Sequence, residues 1–203
     1  NTNYCNSDPL AGSINSAVGS NISVVIATGN DGSTTQIASP ACVQNATRIG
    51  SIRKDDSTFD YNRNNLTLLV APGFLINSTC IISDSATGYC QKSGTSMAAP
   101  HTSGAIAIMR QFLRSSGQNR TPAQLEAILN NTGKRIADSG SGLNYSRINL
   151  YSAIIFLDSS APNVTLISPS NNSFTLNNNQ TFVCNATDLA LKNATFYLWN
   201  SSN

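Results

Sequence analysis

Residues 94–101 read Gly94-Thr95-Ser96-Met97-Ala98-Ala99-Pro100-His101. Small side chains surround a single serine. A glycine-containing turn leads into Met97–Met109, a run that is small or apolar almost all round, and charge first appears at Arg110 and Arg114. Such a run predicts a helix buried on every face. A serine at its start sits where unpaired backbone N–H groups and the helix dipole favour negative charge. Two readings are open on these residues alone. One is an ordinary helix cap. The other is a nucleophile whose attack on a carbonyl forms an oxyanion beside those N–H groups.

The flanking sequence alternates strand and helix. Leu10, Ile14 and Val18 recur at spacing four, predicting a helix over Asp8–Ser20 with Asp8 as N-cap and Pro9 at the first helical position. Ile22–Ala27 is a continuous β-rich apolar run, the pattern of a strand covered on both faces in a parallel sheet. Thr28–Gly32 ends it in turn chemistry. Ala46–Ile52 and Leu66–Val70 read as further strands, the second stopped by Pro72-Gly73. Thr121-Pro122-Ala123-Gln124 is a capping box that opens a helix over Pro122–Asn131. This alternation predicts an α/β domain over residues 1–158. Residues 159–203 read differently. Ser159-Ser160-Ala161-Pro162 is a linker, and Val164–Ile167, Gln180–Asn185 and Thr195–Trp199 are short β-rich runs without helical period. They predict the opening strands of an all-β sandwich, too few for a complete one.

Composition bounds the setting. The chain has 203 residues, net charge +2, 11% charged and 40% hydrophobic residues. That balance excludes charge-driven disorder and gives no argument for nucleic acid as a partner. No apolar run reaches the ~18–20 residues of a membrane span. Asn occurs 26 times, and thirteen Asn begin Asn-X-Ser/Thr triplets. Such triplets accept N-linked glycans in a secreted or surface chain. Five Cys fit the same compartment. Cys5–Cys42 and Cys80–Cys90 are the expected disulfides, which leaves Cys184 to a partner beyond this sequence. His101 is the only His and no Cys-X-X-Cys occurs, so no zinc site is expected. The chain lacks an initiator Met and a signal peptide. Both ends are expected to be cut points of a longer protein.

The string Gly94–His101 resembles the nucleophile motif of the subtilisin-like serine proteases. Ala27-Thr28-Gly29-Asn30 looks like that family's Ala-Ala-Gly-Asn segment. Ser39-Pro40-Ala41 looks like its X-Pro-Ala turn, and Val70-Ala71-Pro72-Gly73 like its Val/Ala-Pro-Gly. Thr121–Leu125 resembles the opening of its final helix. The likeness covers roughly residues 8–155 and implies the C-terminal half of a three-layer, parallel-sheet catalytic domain. The β-rich tail is then the start of an appended Ig-like β-sandwich.

The resemblance implies roles residue by residue. Ser96 is the nucleophile, and Asn30 donates a side-chain N–H to the oxyanion. Thr95 is a supporting hydroxyl, and Ala27, Thr28 and Gly29 wall part of the specificity pocket. Ser39–Pro40 is expected to be cis, and Asp31 to line the cleft. Structural Ca²⁺ is common in the family, but no ligands are assigned, and the chemistry needs no cofactor. The substrates are peptides or proteins. The family's catalytic Asp and His contexts do not occur in the chain and are expected upstream of Asn1. His101 lies five residues past Ser96, ~7.5 Å along the helix and ~140° around it, and cannot replace the base. The chain alone is therefore expected to be inactive and to fold poorly. The alternatives are a catalytically dead surface scaffold with this fold, and an adhesin in which the tail and glycans matter most.

Overall fold

The computed structural model describes residues 1–57, 60–81, 83, 87–158, 162–170, 179, 181–188 and 195. They divide into two compact units, Asn1–Ile154 and Ile155–Asn203. No helix among the described residues is long and apolar enough to cross a membrane.

The first unit is a mixed α/β sheet flanked by helices. In chain order it holds α1 (Ala11–Gly19), β1 (Val25–Ala27), β2 (Thr47–Ile52), β3 (Leu69–Pro72), β4 (Ile76–Thr79), β5 (Tyr89–Lys92), α2 (Thr95–Ser115), α3 (Pro122–Thr132), β6 (Lys134–Asp138) and β7 (Leu143–Arg147). A further helix, α4 (Leu150–Leu157), crosses the division between the units. The main sheet has the order β1-β2-β3-β7-β6. β1, β2, β3 and β7 pair in parallel, and β6 closes the far edge antiparallel to β7. β2 is buried at all six positions, as a strand covered on both faces must be. Ile26 of β1 packs with Ala11, Ile14, Val43 and Ala46 on the α1 side. Alternation along the strand turns Val25 and Ala27 the other way, toward α2.

Several elements differ from the sequence expectation. The first helix starts at Ala11, because Asp8 accepts the Leu10 N–H through Oδ1 at 2.8 Å and heads a turn instead of capping a helix. β1 is shorter than Ile22–Ala27 and only half-buried, because it lies at the sheet edge with one neighbour. α2 is not buried all round. Thr95, Ala98, Thr102, Ala105, Ile106, Met109 and Leu113 form one buried stripe, while Ile108 is half-exposed. The sheet covers that single face. α3 starts where expected. Thr121 Oγ1 accepts the Gln124 N–H at 3.3 Å, and Gln124 Oε1 accepts the Thr121 N–H at 2.9 Å.

Cys5 is bonded to Cys42, with Cα atoms 5.2 Å apart. Cys80 and Cys90 are not joined. The β4–β5 register sets Cys90 opposite Ser78, and the Cys80 N–H bonds the Gly88 carbonyl, so the two cysteines lie diagonally across the hairpin. Diagonal positions stand about 7–8 Å apart, beyond the ~4.4–6.8 Å Cα span of a disulfide. The Ser39–Pro40 peptide is cis.

A buried ion pair ties the antiparallel edge to the centre. Arg63 donates to Asp138 through Nε at 2.6 Å and Nη2 at 3.0 Å. Asp138 also accepts from Ser141 Oγ at 2.6 Å and the Gly140 N–H at 3.0 Å. Burial pushes this carboxyl up, but the hydrogen bonds from Arg63, Ser141 and Gly140 outweigh it and hold it at about 2, below the usual 3.8. A carboxyl depressed on folding stabilises the folded state above its unfolded value. That contribution disappears as pH falls through the folded value. Unfolding measured against pH is expected to show about 2 kcal/mol lost between roughly pH 4 and pH 2. Asp138→Asn is expected to flatten that window.

In the second unit, β8 (Asn163–Ser168) and β9 (Val183–Thr187) form an antiparallel pair. Val164, Leu166 and Ile167 on β8 are exposed. Among the described residues this unit shows one two-stranded sheet. The expected strand Thr195–Trp199 lies outside them except for Thr195.

Candidate active site

The site forms where the loop after β1 meets the start of α2. Gly94 precedes α2 at φ +148° and offers no capping side chain. The first turn is capped from across the sheet. Asn30 Oδ1 accepts the Thr95 N–H at 2.9 Å and the Thr95 hydroxyl at 3.0 Å. Thr95 Oγ1 also lies 3.2 Å from the Gly29 N and 3.3 Å from the Gly29 carbonyl. Met97 N–H bonds the Gly94 carbonyl at 3.0 Å. That leaves the Ser96 N–H as a first-turn amide with no partner among the described residues. Ser96 itself is exposed, and its hydroxyl makes no hydrogen bond there. Pro100 supplies no N–H to the Ser96 carbonyl four residues before it.

The chemistry of the arrangement follows from which Asn30 atom is used. With Oδ1 committed to Thr95, the amide plane is fixed and Nδ2 is the donor left over. Asn30 Nδ2 and the Ser96 amide are thus two N–H donors without partners among the described residues, one on the side chain that binds Thr95 and one on the residue after Thr95. Fixed donors beside a hydroxyl are the elements of an oxyanion hole. Glycine suits position 94, since its φ of +148° is one that other residues rarely adopt and a Cβ there would stand 3.1 Å from Asn30 Nδ2. Gly73 lies behind the turn, and its carbonyl accepts the Gly94 N–H at 2.8 Å.

Ala27 and Gly29 are half-buried at the loop surface. Thr28 is fully buried, and its hydroxyl donates to the Asn62 carbonyl at 2.6 Å and the Ile49 carbonyl at 3.2 Å. Its side chain is spent on holding the loop, so it cannot face a ligand. His101 Nδ1 lies 2.8 Å from the Met97 carbonyl and carries its proton there. His101, Met97 and Pro100 line a cleft of about 380 Å³ with Ile76, Asn77 and Ser78. No carboxylate–imidazole pair stands by Ser96 among the described residues. Asn62 is a site residue that sequence reasoning missed. It is buried under the Asn30 loop and holds Asp31.

The model of peptidase S8, the subtilase family, matches residues 2–182. The chain belongs to the subtilase family. This subtilase chain is 31% identical over 153 residues to the thermophilic serine proteinase of Bacillus sp. (strain AK1), covering 75% of this chain and 35% of that protein. It is 31% identical over 140 residues to an extracellular protease of Xanthomonas campestris pv. campestris, covering 67% of this chain and 24% of that one. It thus spans about a third or less of these relatives' length. The prenylagaramide maturation protease PagA shares the fold at TM-score 0.64 and 23% identity, over 73% of this chain and 55% of that one.

Proposed function

We propose that this subtilase chain carries the nucleophile and oxyanion side of a serine endopeptidase. The observation supporting this reading is Asn30, pinned through Oδ1 to Thr95, the residue before Ser96, with Nδ2 left over as a donor. Ser96 Oγ attacks the scissile carbonyl, and its proton passes to a histidine supplied ahead of Asn1. Asn30 Nδ2 and the Ser96 N–H hold the oxyanion. The histidine gives that proton to the leaving amine, then takes one from the water that attacks the acyl-enzyme. The two donors hold the second oxyanion, and its collapse releases the acid and returns the proton to Ser96 Oγ. His101 takes no part, since it lies five residues past Ser96 on α2, about 7.5 Å along the axis and about 140° around it. Among the described residues no base stands beside Ser96, so the 203-residue chain alone is expected not to turn over peptides.

The reading extends to location and to the tail. The Cys5–Cys42 bond suits an oxidising compartment. Asn45, Asn65, Asn77, Asn119 and Asn144 begin glycan acceptor triplets and are exposed. Curated relatives carry both "intracellular" and "extracellular" in their names, so this placement outside the cytosol rests on the disulfide and the triplets. The β8–β9 pair opens an appended Ig-like β-domain.

The test is active-site labelling of the full-length protein with a fluorophosphonate. Labelling at Ser96, with peptide hydrolysis that is lost in Ser96→Ala, is the expected result. A folded full-length protein that neither labels nor hydrolyses peptides would favour a dead scaffold.

A further inference from the structure

We propose that Asn62 is a positioning residue for the oxyanion donor Asn30. This rests on the reading of Asn30 given above. Asn62 is 3% exposed and reaches the Asn30 loop from both sides. Its backbone N–H donates to the Gly29 carbonyl at 3.1 Å, and its carbonyl accepts the Thr28 hydroxyl at 2.6 Å. Its side chain takes the other flank. Nδ2 donates to Asp31 Oδ2 at 2.9 Å, and Oδ1 accepts the Ser33 N–H at 3.0 Å. The fit against Gly29 is also close: a Cβ at Gly29 would stand 2.7 Å from Asn62 Nδ2.

Residues 29 and 31 are thus both fixed by one buried side chain and its own backbone. Thr95 holds the Asn30 amide at its far end. A side chain anchored at its tip still swings when its backbone is loose, so both anchors are needed to aim Nδ2. The position requires an amide. One end must donate to the Asp31 carboxylate while the other accepts from Ser33, and no other side chain of that size does both. The donor end also takes up a carboxylate oxygen of the negative charge next in sequence to Asn30.

The test compares Asn62→Ala, Asn62→Asp and the swapped pair Asp31→Asn/Asn62→Asp in the full-length protein, with an uncharged peptide substrate. Both single variants are expected to lose roughly 10- to 100-fold in kcat, the scale of a misplaced catalytic group, with KM nearly unchanged. In Asn62→Asp two carboxylates face each other and share a proton at low pH. Its deficit is therefore expected to be smaller near pH 5 than near pH 8. The swapped pair restores one donor and one acceptor and is expected to regain most of kcat. A swapped pair no better than Asn62→Asp overturns the proposal, and decides alone if Asn62→Ala does not fold. Crystal structures of the variants give a readout independent of turnover. Asn30 Nδ2 is expected to move by about 1 Å in the single variants and to return in the swapped pair. An unmoved Asn30 overturns the proposal. Absence of Ser96-dependent turnover in the wild type counts against the endopeptidase reading and leaves the structures to decide this one.

Discussion

Asn30→Asp in the full-length protein is expected to lower kcat by at least about 10²–10³-fold, the loss recorded when the corresponding donor is removed from subtilisin, a member of the same family. The substitution is isosteric. The Asp carboxylate still accepts from the Thr95 N–H and hydroxyl, which Asn30 Oδ1 holds at 2.9 and 3.0 Å. The loop and the α2 start are therefore expected to keep their places, with an unchanged thermal midpoint. The oxygen that replaces Nδ2 changes the chemistry. It removes one donor and, on the proposed reading, sets a negative charge where the oxyanion forms. The ground-state carbonyl uses that donor weakly, so KM changes little and the loss falls on kcat. Saturation kinetics on a peptide substrate measures it. Wild-type kcat in this variant would remove Asn30 from the mechanism.

Gly73→Ala is expected to destabilise the protein by about 3 kcal/mol or more. The new methyl would stand 2.2 Å from Ser51 Oγ and 2.6 Å from the Gly94 carbonyl oxygen. A turn of the Ser51 hydroxyl does not relieve the clash, since Ser51 Cβ stands at 2.9 Å and the Gly94 oxygen is backbone. Separating them breaks the bond from the Gly94 N–H to the Gly73 carbonyl. It also displaces the turn that delivers Ser96. Calorimetry on the full-length protein is expected to show a midpoint lower by on the order of 10 °C, with activity reduced below that midpoint. Unaltered stability would mean that the turn is more compliant than these distances imply.

Legibility in the sequence followed locality. The α3 start was readable because its cap is four consecutive residues, Thr121–Gln124. The α2 start was readable from Gly94 and the small residues after it. The β6–β7 hairpin was not. In Lys134–Asp138 the inward positions are Ile136 and Asp138, and the second is a charge answered by Arg63, 75 residues away in sequence. An apolar alternation cannot reveal a strand whose buried partner is a carboxylate. The turn at Ser139–Gly142 was the available signal. The β4–β5 hairpin is exposed at most positions and carries no pattern at all. Ser96, Thr95 and Asn30 were named from the family likeness, and the structure brings Asn30 onto Thr95. Asn62 was not, because the chain is rich in surface Asn, and composition cannot separate the buried Asn62 and Asn64 from the exposed Asn65.

The Cys5–Cys42 bond closes a ring that contains α1, β1 and the loop bearing Asn30. Exposed loops are where proteolytic nicks fall. A single cut inside the ring opens it without releasing either piece. The broken chain stays attached at Cys42, which is fully buried with Ile37, Ala41 and Leu66. The donor segment then re-forms its contacts from an effective concentration set by a short tether, not from dilute solution. The feature that staples the N-terminal segment thereby makes the loop bearing Asn30 tolerant of one nick.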